Sequence, residues 1–445
     1  HDAETRWREA RWHLGAGSPG KALEIIDGAA SGEARPDPES TAQLLACRGR
    51  ALLGLGRYTE ALEVLVGAEG WPLKVRLEGL AYRGLGQGLL GDHRAARDTL
   101  EGALAEARRH EVVRLEALIA SCFATVLWRA EQLVEAAEHF RGAIAAAERV
   151  GDAGILSSAQ INLAALLKVR GELAPALEML EAAVDTARRS GRRATLHQAL
   201  LNLANADLYL GRLERARSSM SAVDEAALTA VAKAQLIGLR AELAEREGLP
   251  EEALRLYGEC ESAWSALGRK RDAAEAALEG VLLALRTSTF QLREVEERLE
   301  ATRRLIGEEG AHEPLLRIAE ARLYLASGDE AEAEARCQLA VEIAETAGQR
   351  DWSWRALELH AEVLERTGRA QRARRVRQRA LEVVEEIGAS LPRDLREVYW
   401  NDSRRRALRR ATAEPDGVAR AAQRAAVLPF LQTTHAAGTG VAAVS

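Results

Sequence analysis

The stretch SSAQINLAALLKVRGELAPALEMLEAAVDTARRSGR, residues 157–192, holds two apolar stripes around one glycine. Ile161, Leu163, Leu166 and Leu167 stripe its first half. Leu173, Leu177, Leu180 and Val184 stripe its second. Apolar residues three and four apart share one face of a helix, so each half reads as an amphipathic helix. Gly171 supplies the left-handed backbone that reverses the chain between them. Pro175 falls in the first turn of the second helix, where a missing N–H costs little. Pro250 sits just after a similar turn further along.

The same punctuation recurs along the chain. Gly, four residues, then Ala appears at Gly17/Ala22, Gly56/Ala61, Gly91/Ala96, Gly171/Ala176, Gly211/Ala216, Gly248/Ala253, Gly328/Ala333 and Gly368/Ala373. Glu131/Ala136 keeps the register with Glu in place of Gly, and Ser288/Arg293 is a degenerate copy. Successive markers lie 39, 35, 40, 40, 40, 37, 40, 40 and 40 residues apart. A fixed period of this size is the signature of a stacked repeat architecture. Small residues recur in register too. Seven before the markers come Ala10, Gly49, Gly84, Ala124, Ala164, Ala204, Ala241, Val281, Ala321 and Ala361. Twelve after them come Ala29, Ala68, Ala103, Ala143, Ala183, Val223, Cys260, Glu300, Ala340 and Ala380. Small side chains let helix axes approach to about 8 Å.

This pattern resembles the tetratricopeptide repeat family. The small residue of the first helix, the Gly56-Arg57-Tyr58 turn, the Ala opening the second helix and the later Ala carry the likeness. The period is longer than the family's usual one, as in arrays of signalling and kinesin-light-chain type. The resemblance implies an all-α solenoid of about ten hairpins in a right-handed superhelix, the first helix of each pair lining the concave face. The expected organisation is an array over 1–387, a capping helix over 388–411 and a flexible tail over 412–445. The repeat at 270–307 departs at Val281, Arg293 and Glu300, so altered stacking is expected there.

Composition narrows the function classes. The chain has 445 residues, 47% hydrophobic and 4% aromatic, with 61 Lys+Arg against 67 Asp+Glu. A net charge of -6 argues against wrapping by nucleic acid. Cys47, Cys122, Cys260 and Cys337 contain no metal-ligand or disulfide spacing, which fits a reducing, cytoplasmic setting. No apolar run of about 20 residues is present to span a bilayer. The first residue, His1, is not Met, so a piece of something longer is expected.

Two motifs imitate nucleotide-binding loops. Gly15 to Lys21 fits GxxxxGK, but a helical pattern precedes it and Ala22 follows where a Mg²⁺-binding hydroxyl is needed. Gly86 to Gly91 fits GxGxxG, but it ends a helix. His110-Glu111 begins an HExxH match that Arg114 breaks. His197 and His360 read as surface or packing residues. Catalytic residues, a metal site and a cofactor are not expected.

The candidate site is the concave stripe, spaced i, i+4, i+7, i+11 on the first helices. It takes Thr125 and Arg129 from the fourth repeat and Ser158 and Asn162 from the fifth. It takes Gln198, Asn202, Asn205 and Tyr209 from the sixth, and Gln235, Glu242 and Arg246 from the seventh. In relatives that bind extended peptides, asparagines at the positions of Asn162 and Asn202 grip the ligand backbone, since an amide both donates and accepts. The alternative is that these amides bond one another or neighbouring carbonyls. Leu239 stands where the family's carboxylate clamp wants a cation.

Residues 366–410 hold fourteen Arg against six acids, a basic end to an acidic array. One reading is a solvated cap; the other is docking to an acidic partner. The segment from Leu391 to Leu408 resembles the closing helix of arrays in large bacterial regulators. The function expected is a non-catalytic protein- or peptide-binding scaffold, the sensory or regulatory module of a bacterial cytoplasmic signalling protein. The alternatives are an array restraining an attached kinase, ATPase or protease, and a free-standing adaptor.

Overall fold

The computed structural model describes residues 3–28, 37–287, 291–307 and 313–413. Among these there are twenty-two α-helices and no strand. Ala29, Ser288 and the stretch 414–445 of the expected tail lie outside the described residues.

The helices follow one another as hairpins. The first three pairs are α1 (Ala3–Gly15) with α2 (Pro19–Asp27), α3 (Pro38–Gly54) with α4 (Tyr58–Val64), and α5 (Leu73–Leu89) with α6 (His93–Arg109). Next come α7 (Val113–Arg129) with α8 (Leu133–Val150), α9 (Ala153–Val169) with α10 (Leu173–Arg189), and α11 (Arg193–Leu210) with α12 (Leu213–Ser221). Then follow α13 (Ala230–Arg246) with α14 (Pro250–Ala266) and α15 (Lys270–Thr287) with α16 (Leu292–Ile306). The last pairs are α17 (Pro314–Ser327) with α18 (Glu330–Thr346) and α19 (Arg350–Arg366) with α20 (Ala370–Ala389). Two short helices, α21 (Arg393–Asn401) and α22 (Ser403–Ala413), close the chain.

The turn markers are left-handed residues. Gly91, Gly171, Gly211 and Gly328 take φ of +90°, +79°, +87° and +86°, and Glu131 takes +61° in the same role. The amide after the marker reaches back five residues: Gln132 N–H donates to Leu127 O at 2.9 Å and Glu172 N–H to Leu167 O at 2.8 Å. This closing bond satisfies a carbonyl that the helix leaves orphaned. A second set of left-handed residues, among them Glu111, Gly151, Gly191 and Gly348, joins one hairpin to the next. The GxxxxGK-like segment is the α1–α2 turn. Gly88 of the GxGxxG match is buried in α5, where a Cβ would lie 2.5 Å from Val126 Cγ2. It serves close helix packing.

The small positions pack as their size dictates. A Cβ on Gly84 would lie 2.5 Å from Leu100 Cγ, and one on Gly49 would lie 2.8 Å from Leu65. Ala124, Ala164, Ala204, Ala321 and Ala361 are buried, as are Ala103, Ala143, Ala183, Ala340 and Ala380. The largest apolar core draws on residues from Leu77 to Leu408, while the buried residues of α14 fall in two smaller clusters of their own.

Three features differ from uniform hairpins. First, α4 and α12 span 7 and 9 residues and give way to 3-10 turns at Ala68–Gly70 and Glu225–Ala227. These are the hairpins whose markers lie 35 and 37 residues from the next. Second, α16 is 15 residues long yet buries only Val295, Leu299 and Thr302, leaving Arg293 and Glu300 in water. Third, the single capping helix expected after 388 is two helices. Asp402, with extended backbone, breaks them, and its carboxylate accepts Arg404 N–H at 3.1 Å and Arg405 N–H at 3.3 Å as the cap of α22.

Hairpins five apart touch. A Cβ on Gly17 would lie 3.2 Å from Ala194 Cβ, joining hairpins one and six. One on Gly171 would lie 3.3 Å from both Arg350 Cδ and Ile387 Cγ1, joining five and ten. One on Gly348 would lie 4.0 Å from Leu133 Cδ1, joining nine and four. Five hairpins therefore complete one superhelical turn, and the second turn packs directly on the first.

Candidate functional site

The first helices of hairpins four to ten turn one face toward the superhelix axis. Contacts across long sequence gaps identify that face. Arg355 Nη1 pairs with Glu279 Oε1 at 3.3 Å, two hairpins away. Arg246 pairs with Asp402, 156 residues on. The first pair spans the inside of the curve, and the second joins this face to the chain one superhelical turn on.

All eleven expected residues lie on α7, α9, α11 and α13, and they fall into two groups. The amide group is uncharged. Gln198 Nε2 donates to Gln235 Oε1 at 2.8 Å, bridging α11 and α13. Asn202 Nδ2 donates to Gln198 O at 2.9 Å. Asn205 Oδ1 accepts from Lys168 of α9. So these amides do bond one another and a neighbouring carbonyl. Ser158 is exposed and Asn162 half-buried, and neither has a side-chain hydrogen-bond partner among the described residues. Thr125 Oγ1 donates to Ser121 O at 3.0 Å in its own helix. Arg129 is exposed at the end of α7, apart from both groups.

The second group is ionic. Arg246 Nη2 pairs with Glu242 at 2.9 Å while Nη1 takes Asp402. Arg405 donates to Tyr209 O at 2.7 Å, and its guanidinium lies 5.1 Å from the Tyr209 ring centre. Burial and the Asp351 carboxylate nearby push the Tyr209 phenol well above its ordinary value. Tyr209 and Arg246 are thus engaged by the chain's own C-terminal segment.

Sequence reasoning missed several residues of this wall. Glu275 and Glu279 hold in hairpin eight the register that Gln198 and Asn202 hold in hairpin six. Arg355 holds it in hairpin ten. Extending the spacing rule would have found all three. Crowding by the surrounding protein and the Glu279 charge raise the Glu275 carboxyl to about 7, against the pull of Lys168. Asp351 lies four residues before Arg355 on α19, so the same spacing reaches it, whereas Asp402 and Arg405 carry no local signal because they meet the wall across a superhelical turn. Burial lowers the values of His197 and His360, and both are packing residues.

No protein-family model matches the sequence, and no curated protein does either. Solved structures do resemble the fold. A Rap protein complexed with competence and sporulation factor matches with a TM-score of 0.60 at 11% identity, over 87% of this chain and 99% of that one. The Rap conjugation gene regulator of a plasmid, in complex with a Phr peptide, matches with a TM-score of 0.52 at 11% identity, over 88% and 98%. At this identity the likeness speaks for the fold: the chain is a helical-repeat solenoid of tetratricopeptide type. No described helix is long and apolar enough to cross a membrane.

Proposed function

We propose that the chain is a regulatory scaffold that binds an extended peptide or protein segment along the inner amide wall, acting by binding rather than catalysis. The observation that carries this reading is the pair Ser158 and Asn162. Both present free hydrogen-bonding groups at the register positions that Gln198 and Asn202 hold in the next hairpin. An extended backbone offers alternating donors and acceptors, and a side-chain amide answers both. Two solved structures of this fold are described in complex with a sporulation factor and a peptide, which supports the same use here. We place the array in the cytoplasm as the sensory module of a larger bacterial signalling protein, on the strength of the closing segment Leu391 to Leu408.

A peptide array probed with the purified chain tests the reading. Asn162→Ala together with Asn202→Ala removes two amide contacts, each worth about 1 kcal/mol, so affinity for bound peptides falls about 10- to 30-fold. Undiminished binding by the double variant sinks the proposal.

A further inference from the structure

We propose that α21–α22 is a releasable latch: it fastens the C-terminal end of the array onto hairpins six and seven, one superhelical turn back, through Asp402 and Arg405, and its opening uncovers Tyr209 and Arg246 on the inner wall. The latch needs no ligand to exist, so it stands apart from the peptide reading.

The fastening is specific. Asp402 joins three elements: it caps α22, pairs with Arg246 of α13, and lies against the hairpin turn at Gly211, where a Cβ would be 3.6 Å from its own. Arg405 is fully buried. It donates to Tyr209 O and to Tyr399 O, at 2.7 and 3.2 Å, and its guanidinium lies 3.7 Å from the Tyr399 ring centre. Charge-assisted hydrogen bonds and a stacked guanidinium hold more strongly than neutral contacts.

The holding is also local and weakly backed. Of α21 and α22, only Tyr399, Arg405 and Leu408 are buried; the preceding α19 buries nine residues. Helices of 9 and 11 residues lie below the length at which isolated helices persist, about 12–15 residues. The α22 sequence SRRRALRRATA carries five arginines and no carboxylate. Three of those arginines sit in the first turn, where the helix dipole disfavours cations. Asp402 answers that charge at the helix start, and Asp351 of α19 lies near enough to Arg404 and Arg405 for their charges, against burial and beside that of Arg355, to lower its carboxyl. Arg405 Nε is buried without an acceptor among the described residues. Few apolar anchors, short helices and a network pinned by a few carboxylates place this segment at the low-stability end of the fold.

The test is hydrogen–deuterium exchange on the full chain, read helix by helix. In the unaltered protein, α21–α22 exchange together and before α19 and α20. Asp402→Asn speeds exchange in α21–α22, at the C-terminal end of α11 and at the start of α19 by about tenfold, the factor of one lost charge-assisted hydrogen bond, while α9 and α10 are unchanged. Two results overturn the proposal. One is that α21–α22 exchange no sooner than α19–α20 in the unaltered protein. The other is that Asp402→Asn leaves α11 and α19 untouched. Arg405→Ala provides a second arm with the same expected pattern.

Discussion

Glu131 shows how far a repeat tolerates the wrong residue at a demanding position. Its backbone sits at φ +61°, where the other described markers are glycines. A side chain in the left-handed region costs about 1 kcal/mol through the contact of Cβ with the following carbonyl. The turn persists because Gln132 N–H still closes on Leu127 O and because Ala136 and Phe140 bury the helix that follows. Glu131→Gly should therefore raise stability by about 1 kcal/mol, seen as a higher denaturant midpoint at unchanged slope. A lower midpoint would mean that the Glu131 side chain holds the turn. The marker itself was legible, since the register survived the substitution. Its strain was not, because a periodicity reports position and leaves φ unstated.

At the scale of elements, spacing carried more than stripe. The two short intervals, 35 and 37 residues, are where α4 and α12 end early and 3-10 turns replace the missing helical turns. Residue counts alone contain that information. The degenerate repeat is different. Its framework positions lack small residues, and α16 accordingly buries only Val295, Leu299 and Thr302, whereas α14 buries Ala253, Leu256, Tyr257, Cys260 and Trp264. Solenoid stability is a sum of unit and neighbour terms, so a poorly buried helix opens without its neighbours. In proteolysis under native conditions α16 should therefore be cut before α14. First cleavage inside α14 instead would show that burial does not rank these helices. The break between α21 and α22 was hidden, because Asp402 is a capping residue type flanked on both sides by sequence that could continue a helix.

The whole molecule is a superhelix whose turns touch, with hairpins five apart in contact at Gly17, Gly171 and Gly348. Ten hairpins thus make two turns rather than an open crescent. That closeness explains which parts of the wall were legible. Every residue placed by helical spacing does lie on the first helices named. Asp402 and Arg405 reach the same wall from a turn away, and no sequence period reports pitch. It also divides the wall. Toward the C-terminal end the Glu279–Arg355 pair and the Asp402–Arg246 pair close it, while the amides of α9, α11 and α13 remain partly open to water.

The central claim is that this open stretch is where a peptide lies. A benzoylphenylalanine photocrosslinker placed at Ser158, with a second protein carrying it at the exposed Glu178 of α10, reads the position directly when both are irradiated with a random peptide library. The account predicts peptide adducts at Ser158, abolished by adding Asn162→Ala and Asn202→Ala, and none above background at Glu178. Equal capture at the two positions, or capture at Ser158 that ignores the asparagine changes, would contradict it.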